Sequence, residues 1–208
     1  MFSCGYRRAR FQVGYTLWQI LISPFGRVRF RDFFMADVIT SVPPALTDLS
    51  VAMYYYMTAR FYHHQPINKK NLFLIVCAQI ASLIPFWFRF WQCINKYYVG
   101  GIKVQLVNAG KYFSKLLPPL YLLLDLGINS NKVGGVNFYN WLMFQIIATL
   151  YCTVWDYYMD WGLFRSSKPE TYALRSQIKY SPSFYYFAIV LNLVLRFYWV
   201  IGIFTFNF

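Results

Sequence analysis

The sequence is poor in acidic residues and in the groups that catalysis needs. Only 13% of its residues are charged, and the few acids leave a formal net charge of +13. Its histidines, His63 and His64, are adjacent, which indicates a solvated turn rather than a metal-ligand pair. There is no nucleotide-binding loop and no nucleophile–base constellation. We therefore expect a protein that is not an enzyme and uses neither a metal nor a cofactor.

Cysteine is scarce and has no paired spacing. Cys4, Cys77, Cys93 and Cys152 form no CxxC motif, and the last three lie in apolar runs. The sequence thus predicts small buried hydrophobic residues, with neither a zinc site nor a disulfide framework. The basic residues fall between apolar runs rather than on one solvated face, which argues against nucleic acid as a partner. Their excess suits anionic headgroups, an anionic substrate or acidic neighbouring subunits.

What the chain has in abundance is apolar and aromatic side chains. Hydrophobic residues make up 58% of it and aromatic residues 23%, which is typical of an integral membrane protein. Five apolar runs are each long enough for a transmembrane helix. They span residues of about 33–59, 71–94, 104–126, 136–158 and 184–206. The sequence predicts an all-α, polytopic membrane helix bundle of about five spans, as a single domain over residues 1–208.

The N-terminal segment predicts a helix that lies on the membrane. Its apolar core, residues 13–22, is too short to span, and basic residues flank it. No small-residue cleavage site follows, so a secretory signal is not indicated. The first acid is Asp32. An acid-poor, arginine-bearing start would also suit import into mitochondria.

The first span carries two prolines in its middle. Pro43 and Pro44 remove backbone donors and break the helix, and Asp37 and Asp48 flank the break. Broken helices at membrane depth are tolerated where they line a cavity or pack inside protein. We therefore expect a cavity at this point.

Several polar residues lie deep in the other spans, where charge is costly. Arg89 lies among Phe86, Trp87, Phe88, Phe90 and Trp91; Asn108, Lys111 and Lys115 begin the next span. Two interpretations of Arg89 stay open at this point. One is an arginine that snorkels to headgroups from an aromatic belt, and the other is a buried anion ligand.

Two further clusters follow from helical spacing. Asp156 and Asp160 are four residues apart, so they share one face at a helix end. Asn192, Arg196 and Trp199 are spaced four and three apart, which places amide, guanidinium and indole on one face.

The basic residues outside the spans are distributed unequally. One side has Arg7, Arg8, Arg10, Arg27, Arg29, Arg31, Lys96, Lys103, Arg165, Lys168, Arg175 and Lys179; the other has Arg60, Lys69, Lys70 and Lys132. The positive-inside rule places the N-terminus in the cytosol, or in the matrix of an organelle, and the C-terminus on the opposite side.

Five motifs in this order resemble a known family. They are SPFGRVRFRDFFMAD at 23–37, RFWQC at 89–93, LVNAGKY at 106–112, WDYYMDWGL at 155–163 and NLVLRFYW at 192–199. Together they are similar to the EXS domain of the SPX–EXS phosphate exporters. The resemblance covers nearly the whole chain and implies a helical phosphate pathway.

The resemblance also implies roles for individual residues. The residues that match the family's phosphate ligands are Arg89, Lys111, Tyr112 and Arg196; those that match its pathway acids are Asp37, Asp156 and Asp160. Trp199 matches a gating tryptophan, and we expect Asn108 and Asn192 to line the pathway. Such a pathway agrees with physical chemistry, because phosphate in a low-dielectric pore needs charge-assisted donors. A set of internal ion pairs that only specifies packing is the alternative.

The chain departs from the family pattern in several places. Thr40 replaces an asparagine, and Pro43 replaces a small polar residue. The phosphate-sensing SPX domain, the first spans and a final arginine-bearing helix have no counterpart in the sequence. We expect that the chain does not work alone.

Two function classes therefore remain. The first is a minimal transporter of phosphate or a related anion. The second is an accessory subunit of a large organellar complex, such as a mitochondrial respiratory assembly, with a vestigial site for an anion or a lipid headgroup. The expected partners are phosphate, anionic membrane lipids with cardiolipin as one candidate, and other membrane subunits. The mitochondrial inner membrane is slightly favoured as the location.

The predicted topology can be tested by labelling. With five spans, single cysteines at Lys168 and Asn68 should react with a membrane-impermeant thiol reagent from opposite sides of sealed vesicles. Labelling of both positions from one side would contradict the predicted number of spans.

Overall fold

The structure is a computed structural model that describes residues 7–58, 71–128, 138–164, 173–175 and 178–205. Within these ranges the chain is all-helical and has no strand. The helices are α1 (Arg7–Leu21), α2 (Phe30–Ile39), α3 (Pro43–Met57), α4 (Leu72–Gly100), α5 (Lys103–Ile128), α6 (Phe138–Trp155), α7 (Pro182–Arg196) and α8 (Trp199–Thr205), and a π-helical turn (Asp156–Asp160) follows α6. The predicted fold class is confirmed.

Within the described residues, each of the five predicted apolar runs contains helix. Two helical segments, Leu72–Gly100 and Pro182–Ile201, are long and apolar enough to cross a membrane by length and composition. The number of helices that cross the membrane stays a prediction. Several positions used in the sequence predictions lie outside the described residues. They are the predicted turn at His63 and His64, Cys4, and the topological markers Arg60, Asn68, Lys69, Lys70, Lys132, Arg165 and Lys168.

The chain divides into two compact units, Met1–Phe144 and Gln145–Phe208, with the boundary inside α6. Although the chain divides in this way, whether it forms a single domain stays a prediction.

In the first unit α4 packs along both α5 and α3, and α2 packs against α4 and α1. The turn between α4 and α5 is tight because Gly101 adopts a left-handed conformation (φ +63°), and its N–H donates to the carbonyl of Tyr97 at 2.8 Å. The buried core between the two helices contains Cys93, Ala109 and Tyr112. The side chains of Cys93 and Cys152 are buried, as the sequence predicts, whereas that of Cys77 is only partly buried.

The break predicted in the first apolar run is present. Helix α2 ends at Ile39, and α3 begins at Pro43, with Pro44 also in its first turn. Prolines are tolerated there because the first turn of a helix has no intrahelical acceptors for its N–H groups. By contrast, Pro85 in α4 and Pro118 in α5 lie inside continuous helices.

One polar edge of α4 binds the connector between α1 and α2, residues 22–29. The amide of Asn95 donates to the carbonyls of Ser23 and Gly26 at 3.3 and 3.0 Å. One turn earlier, Gln92 donates to the carbonyl of Asp32 at 3.2 Å. The ammonium nitrogen of Lys96 lies 3.4 Å from the ring centroid of Phe33. Asn95 of α4 thus satisfies two backbone carbonyls of the connector, which lie outside the helices.

In the second unit the chain leaves the π-helical turn through Gly162, which has φ +66°. The N–H of Phe164 then donates to the carbonyl of Ala173 at 2.8 Å. Tyr157 donates its hydroxyl proton to the carbonyl of Ile189 in α7 at 2.8 Å. These contacts join the end of α6 to α7.

Asn95→Ala tests the hold of α4 on the connector. Loss of two side-chain donors should lower the free energy of unfolding by about 1–2 kcal/mol, because each hydrogen bond contributes roughly 1 kcal/mol net. Trypsin should also cut faster at Arg27 and Arg29. Thermal unfolding in detergent and limited proteolysis measure both effects. The control is Gln79→Ala, also on α4, whose side chain makes no hydrogen bond within the described residues; equal effects of the two variants would contradict this account.

Candidate functional site

The guanidinium of Arg89 lies at the centre of the first unit. Arg89 is only 1% exposed and extends from α4 towards α2 and α5. Its Cζ atom is 3.8 Å from the ring centroid of Phe33 and 4.7 Å from that of Tyr112. Aromatic faces attract a cation electrostatically, and more strongly where water is excluded. The burial excludes the interpretation of Arg89 as a snorkelling arginine.

Arg89, Tyr112 and Asp37 form a closed triangle of polar contacts. The Nη2 atom of Arg89 donates to the Tyr112 hydroxyl at 2.8 Å and lies 3.1 Å from Oδ1 of Asp37. The Tyr112 hydroxyl donates in turn to the same Oδ1 atom at 2.8 Å. Three helices, α2, α4 and α5, each supply one member. The resemblance implied these three residues as site residues, and in the structure they are in contact.

The other end of the guanidinium is held by groups that the sequence did not reveal. Nη1 donates to Oε1 of Gln92 at 3.2 Å and to the carbonyl of Phe33 at 3.4 Å. Gln92 is fully buried. Its position three residues after Arg89, on the same helical face, was the one available signal. The Nε atom of Arg89 is buried and has no hydrogen-bond partner among the described residues.

The members of the triangle differ in how far their side chains are exposed. The Asp37 side chain is 53% exposed, whereas that of Arg89 is almost completely buried. A cation removed from water is costly unless it has a partner, and here the partner is a half-exposed carboxylate. Charge-assisted donors of this kind bind oxyanions well. The arrangement can therefore hold a small oxyanion where the carboxylate now lies.

Other predicted residues of α5 lie near the triangle. Lys111 is half-buried, and its ammonium nitrogen is 5.0 Å from the ring centroid of Tyr112. Asn108 is buried, and in the part of the chain that the structure describes its Oδ1 atom has no hydrogen-bond partner. Among the described residues, no cluster of three or more His, Cys, Asp or Glu side chains could hold a metal ion.

The second unit contains another buried pair. Nη2 of Arg196 donates to Oδ2 of Asp156, and each side chain is about one-fifth exposed. The Nε atom of Arg196 and Oδ1 of Asn192 are buried, and no described residue forms a hydrogen bond with either atom. Asn192 and Arg196 lie four residues apart on α7, as predicted. Because the helix ends at Arg196 and α8 begins at Trp199, the α-helical spacing that placed Trp199 on their face does not apply.

Asp156 and Asp160 lie in a π-helical turn rather than at the end of an α-helix. The N–H of Trp161 donates to the carbonyl of Asp156 five residues earlier at 2.8 Å. Oδ1 of Asp160 accepts from the indole Nε1 of Trp155 at 3.2 Å. The two acids therefore have different partners. Single π-helical turns of this kind often occur at functional sites.

Arg89, Lys111 and Arg196, which the resemblance groups as phosphate ligands, belong to different units, so their convergence on one anion stays a prediction. Within the units the structure shows a polar cluster around Arg89 in the first and another around Arg196 in the second. Each pairs a buried or partly buried arginine with an aspartate from another helix. Phe33 and Gln92 are the contact residues that sequence reasoning missed.

Fold and site together define the class: a helical protein with segments long and apolar enough to cross a membrane, in which two at least partly buried arginines, Arg89 and Arg196, pair with aspartates. The family model for the EXS family matches residues 1–208. The chain belongs to the EXS family, which confirms the resemblance carried by the five motifs.

Named relatives support this membership. Solute carrier family 53 member 1 of Homo sapiens is 32% identical over 95% of this chain, and the match covers 30% of the relative. The xenotropic and polytropic retrovirus receptor 1 homolog of Xenopus laevis is 31% identical over 95% of the chain, again covering 30% of the relative. Phosphate transporter PHO1 of Arabidopsis thaliana is 30% identical over 99% of the chain, covering 26% of the relative. The chain thus spans less than a third of each relative's length.

A double-mutant cycle tests the pair in the second unit. Asp156→Asn and Arg196→Gln should each destabilise the protein, and the double variant should cost less than the sum of the two. We expect a coupling of about 1–2 kcal/mol, typical of residues in direct polar contact. Thermal or denaturant unfolding in detergent measures all four proteins. Additive effects would mean that the contact contributes nothing to stability.

Proposed function

We propose that this chain is a membrane transport domain for inorganic phosphate or a related oxyanion, and that Arg89 is its central anion ligand. Membership of the EXS family supports this substrate class, and so does the plant relative, which is named as a phosphate transporter. In this proposal the anion moves without chemical change, so the chain is a carrier rather than an enzyme.

One observation carries the proposal. A nearly completely buried arginine is paired with a carboxylate that is half exposed. Arginine in a dry site keeps its charge and is not left without a counter-anion. Since Asp37 can be reached from solvent, an incoming oxyanion can take its place without any exposure of the guanidinium.

The exchange of Asp37 for phosphate suggests how binding and release are balanced. Phosphate would accept from Nη2 of Arg89, which now forms an ion pair with Asp37, and from the Tyr112 hydroxyl, which now donates to Asp37. When the anion leaves, the carboxylate returns and restores the internal pair. The carboxylate therefore competes with phosphate and keeps the affinity low enough for release.

The remaining predicted residues have supporting roles in this proposal. Lys111 raises the positive potential beside Tyr112. In the second unit Arg196 with Asp156 repeats the pairing of a cation with a displaceable acid. Asp160 is a further pathway acid, Asn108 and Asn192 offer amide groups to the anion, and Trp199 is the gate implied by the family.

The hypothesis of an accessory subunit in a mitochondrial complex gains no support from the relatives. These relatives are named as a solute carrier, a retrovirus receptor homolog and a phosphate transporter. The proposed location is therefore an unspecified membrane. That the chain works only with a partner subunit or a bound lipid stays a prediction.

Reconstitution tests the proposal. The purified chain in liposomes should carry radiolabelled phosphate, and Arg89→Gln should reduce apparent affinity or flux about tenfold or more. That factor corresponds to the roughly 1.5–3 kcal/mol of a hydrogen bond to a charged group. Arg175→Gln, which neutralises an exposed arginine of the second unit, is the control and should leave flux unchanged.

A binding measurement on Asp37→Asn completes the test. Removal of the carboxylate should destabilise the protein by about 2–3 kcal/mol, somewhat less than for a fully buried pair, because Asp37 is half exposed. Millimolar phosphate should then raise the melting temperature of this variant more than that of the parent chain. Asp48→Asn, which removes an exposed acid on α3, is the matched control. If the parent chain shows neither flux nor stabilisation by phosphate, the proposal fails.

A further inference from the structure

Helix α1 has two faces of opposite character. Thr16 and Ile20 are buried against the rest of the first unit. On the other side Phe11, Trp18 and Leu21 are exposed, and the indole-bearing Trp18 is 58% exposed. Their spacing places them along one stripe of the helix. A helix with an exposed, largely aromatic stripe opposite its buried face is typical of a helix that lies in a membrane interface.

The apolar stripe continues beyond the helix. Phe25 in the connector is 93% exposed, and Phe30 and Phe34 on the first turns of α2 are exposed as well. The rings of Phe30 and Phe34 lie near each other, with centroids 6.2 Å apart. Large exposed aromatic groups of this density mark an interaction surface rather than ordinary solvent exposure.

Exposed arginines accompany these rings. They are Arg7, Arg8, Arg10, Arg27, Arg29 and Arg31. Arg31 is partly engaged, because its guanidinium lies over the ring of Tyr15 and its Nε atom is 3.6 Å from Asp32. Asp32 is the one acid between residues 7 and 36, and it is buried. Within residues 7–36 these basic residues are thus accompanied by no exposed acid.

We propose that α1, the connector and the first two turns of α2, residues 7–36, form a docking surface for anionic phospholipid headgroups. The aromatic side chains enter the boundary between headgroups and acyl chains, and the arginines contact headgroup phosphates. Arginine suits this role because its planar group binds phosphate oxygens in pairs. A juxtamembrane basic segment is attracted to an anionic leaflet by about 1 kcal/mol per basic residue.

The chemistry favours a lipid surface over a soluble anion or an acidic protein. A soluble anion would use the arginines but leave the aromatic stripe in water. A lipid leaflet supplies both an apolar layer and phosphates at the depth of an interfacial helix. The connector that carries Arg27 and Arg29 is held in shape by Asn95 through the carbonyls of Ser23 and Gly26.

Native mass spectrometry of the whole chain tests the headgroup contacts. The protein is equilibrated in micelles that contain phosphatidylcholine and phosphatidylserine, and the retained lipids are counted. We expect phosphatidylserine to be preferred, and the preference to fall about fivefold or more in R8Q/R27Q/R29Q. The charge-matched control is K103Q/R175Q/K179Q, which neutralises exposed basic residues outside the surface.

The outcomes separate the proposal from a general effect of net charge. Loss of the preference in the first triple variant and its retention in the second would support the docking surface. No preference in the parent chain, an unchanged preference in R8Q/R27Q/R29Q, or an equal loss in both variants would overturn it.

A depth measurement tests the aromatic stripe independently. A spin label is placed at Trp18→Cys after replacement of Cys4 and Cys77, since Cys93 and Cys152 are buried. In vesicles of phosphatidylcholine and phosphatidylserine, oxygen should reach the label more readily than a polar nickel complex. A second label at Gln12→Cys, on the polar part of α1, should show more access to nickel. Equal and high nickel access at both positions would overturn the proposal.

Discussion

Burial of the Arg89 guanidinium is the constraint that the first unit has to satisfy. A lone cation in an apolar helix pair would cost many kilocalories per mole, so it persists only where its donors and its charge are matched. Here α2 supplies Asp37 and the Phe33 carbonyl, α4 supplies Gln92, and α5 supplies Tyr112. The position of three helices is therefore tied to one side chain.

Polar contacts of this kind matter more here than in a water-soluble bundle. Between helices that face lipid, apolar side chains gain little by meeting one another, because the lipid is equally apolar. Directional contacts then decide which helix faces meet and in what register. The polar edge of α4, from Arg89 through Gln92 to Asn95, supplies such contacts over two turns. The same edge of α4 carries Arg89, the residue proposed to bind the anion, and holds the connector between α1 and α2.

The sequence predicted helices well and contacts poorly. Apolar runs and the prolines at 43 and 44 act locally, so the helices and the break between α2 and α3 could be predicted. Arg89 was recognisable as unusual because five aromatic residues surround it in sequence. Its partner Asp37 is 52 residues away, and no local pattern links the two; the family resemblance supplied that link. Gln92 went unnoticed because an amide in an apolar helix has many possible roles. The π-helical turn depends on packing that spacing does not encode.

Hydrogen-bond direction in the Asp37 triangle has a consequence for the form of the ligand. Of the two groups that face the carboxylate, the Tyr112 hydroxyl donates a hydrogen bond to it, and Nη2 of Arg89 lies 3.1 Å away as its ion-pair partner. A ligand that takes its place should therefore offer lone pairs at this point. Phosphate that carries one or two protons would turn an unprotonated oxygen inward and leave its own hydroxyl groups towards solvent. The triangle would thus select the orientation of a protonated oxyanion, which positive charge alone would leave undetermined.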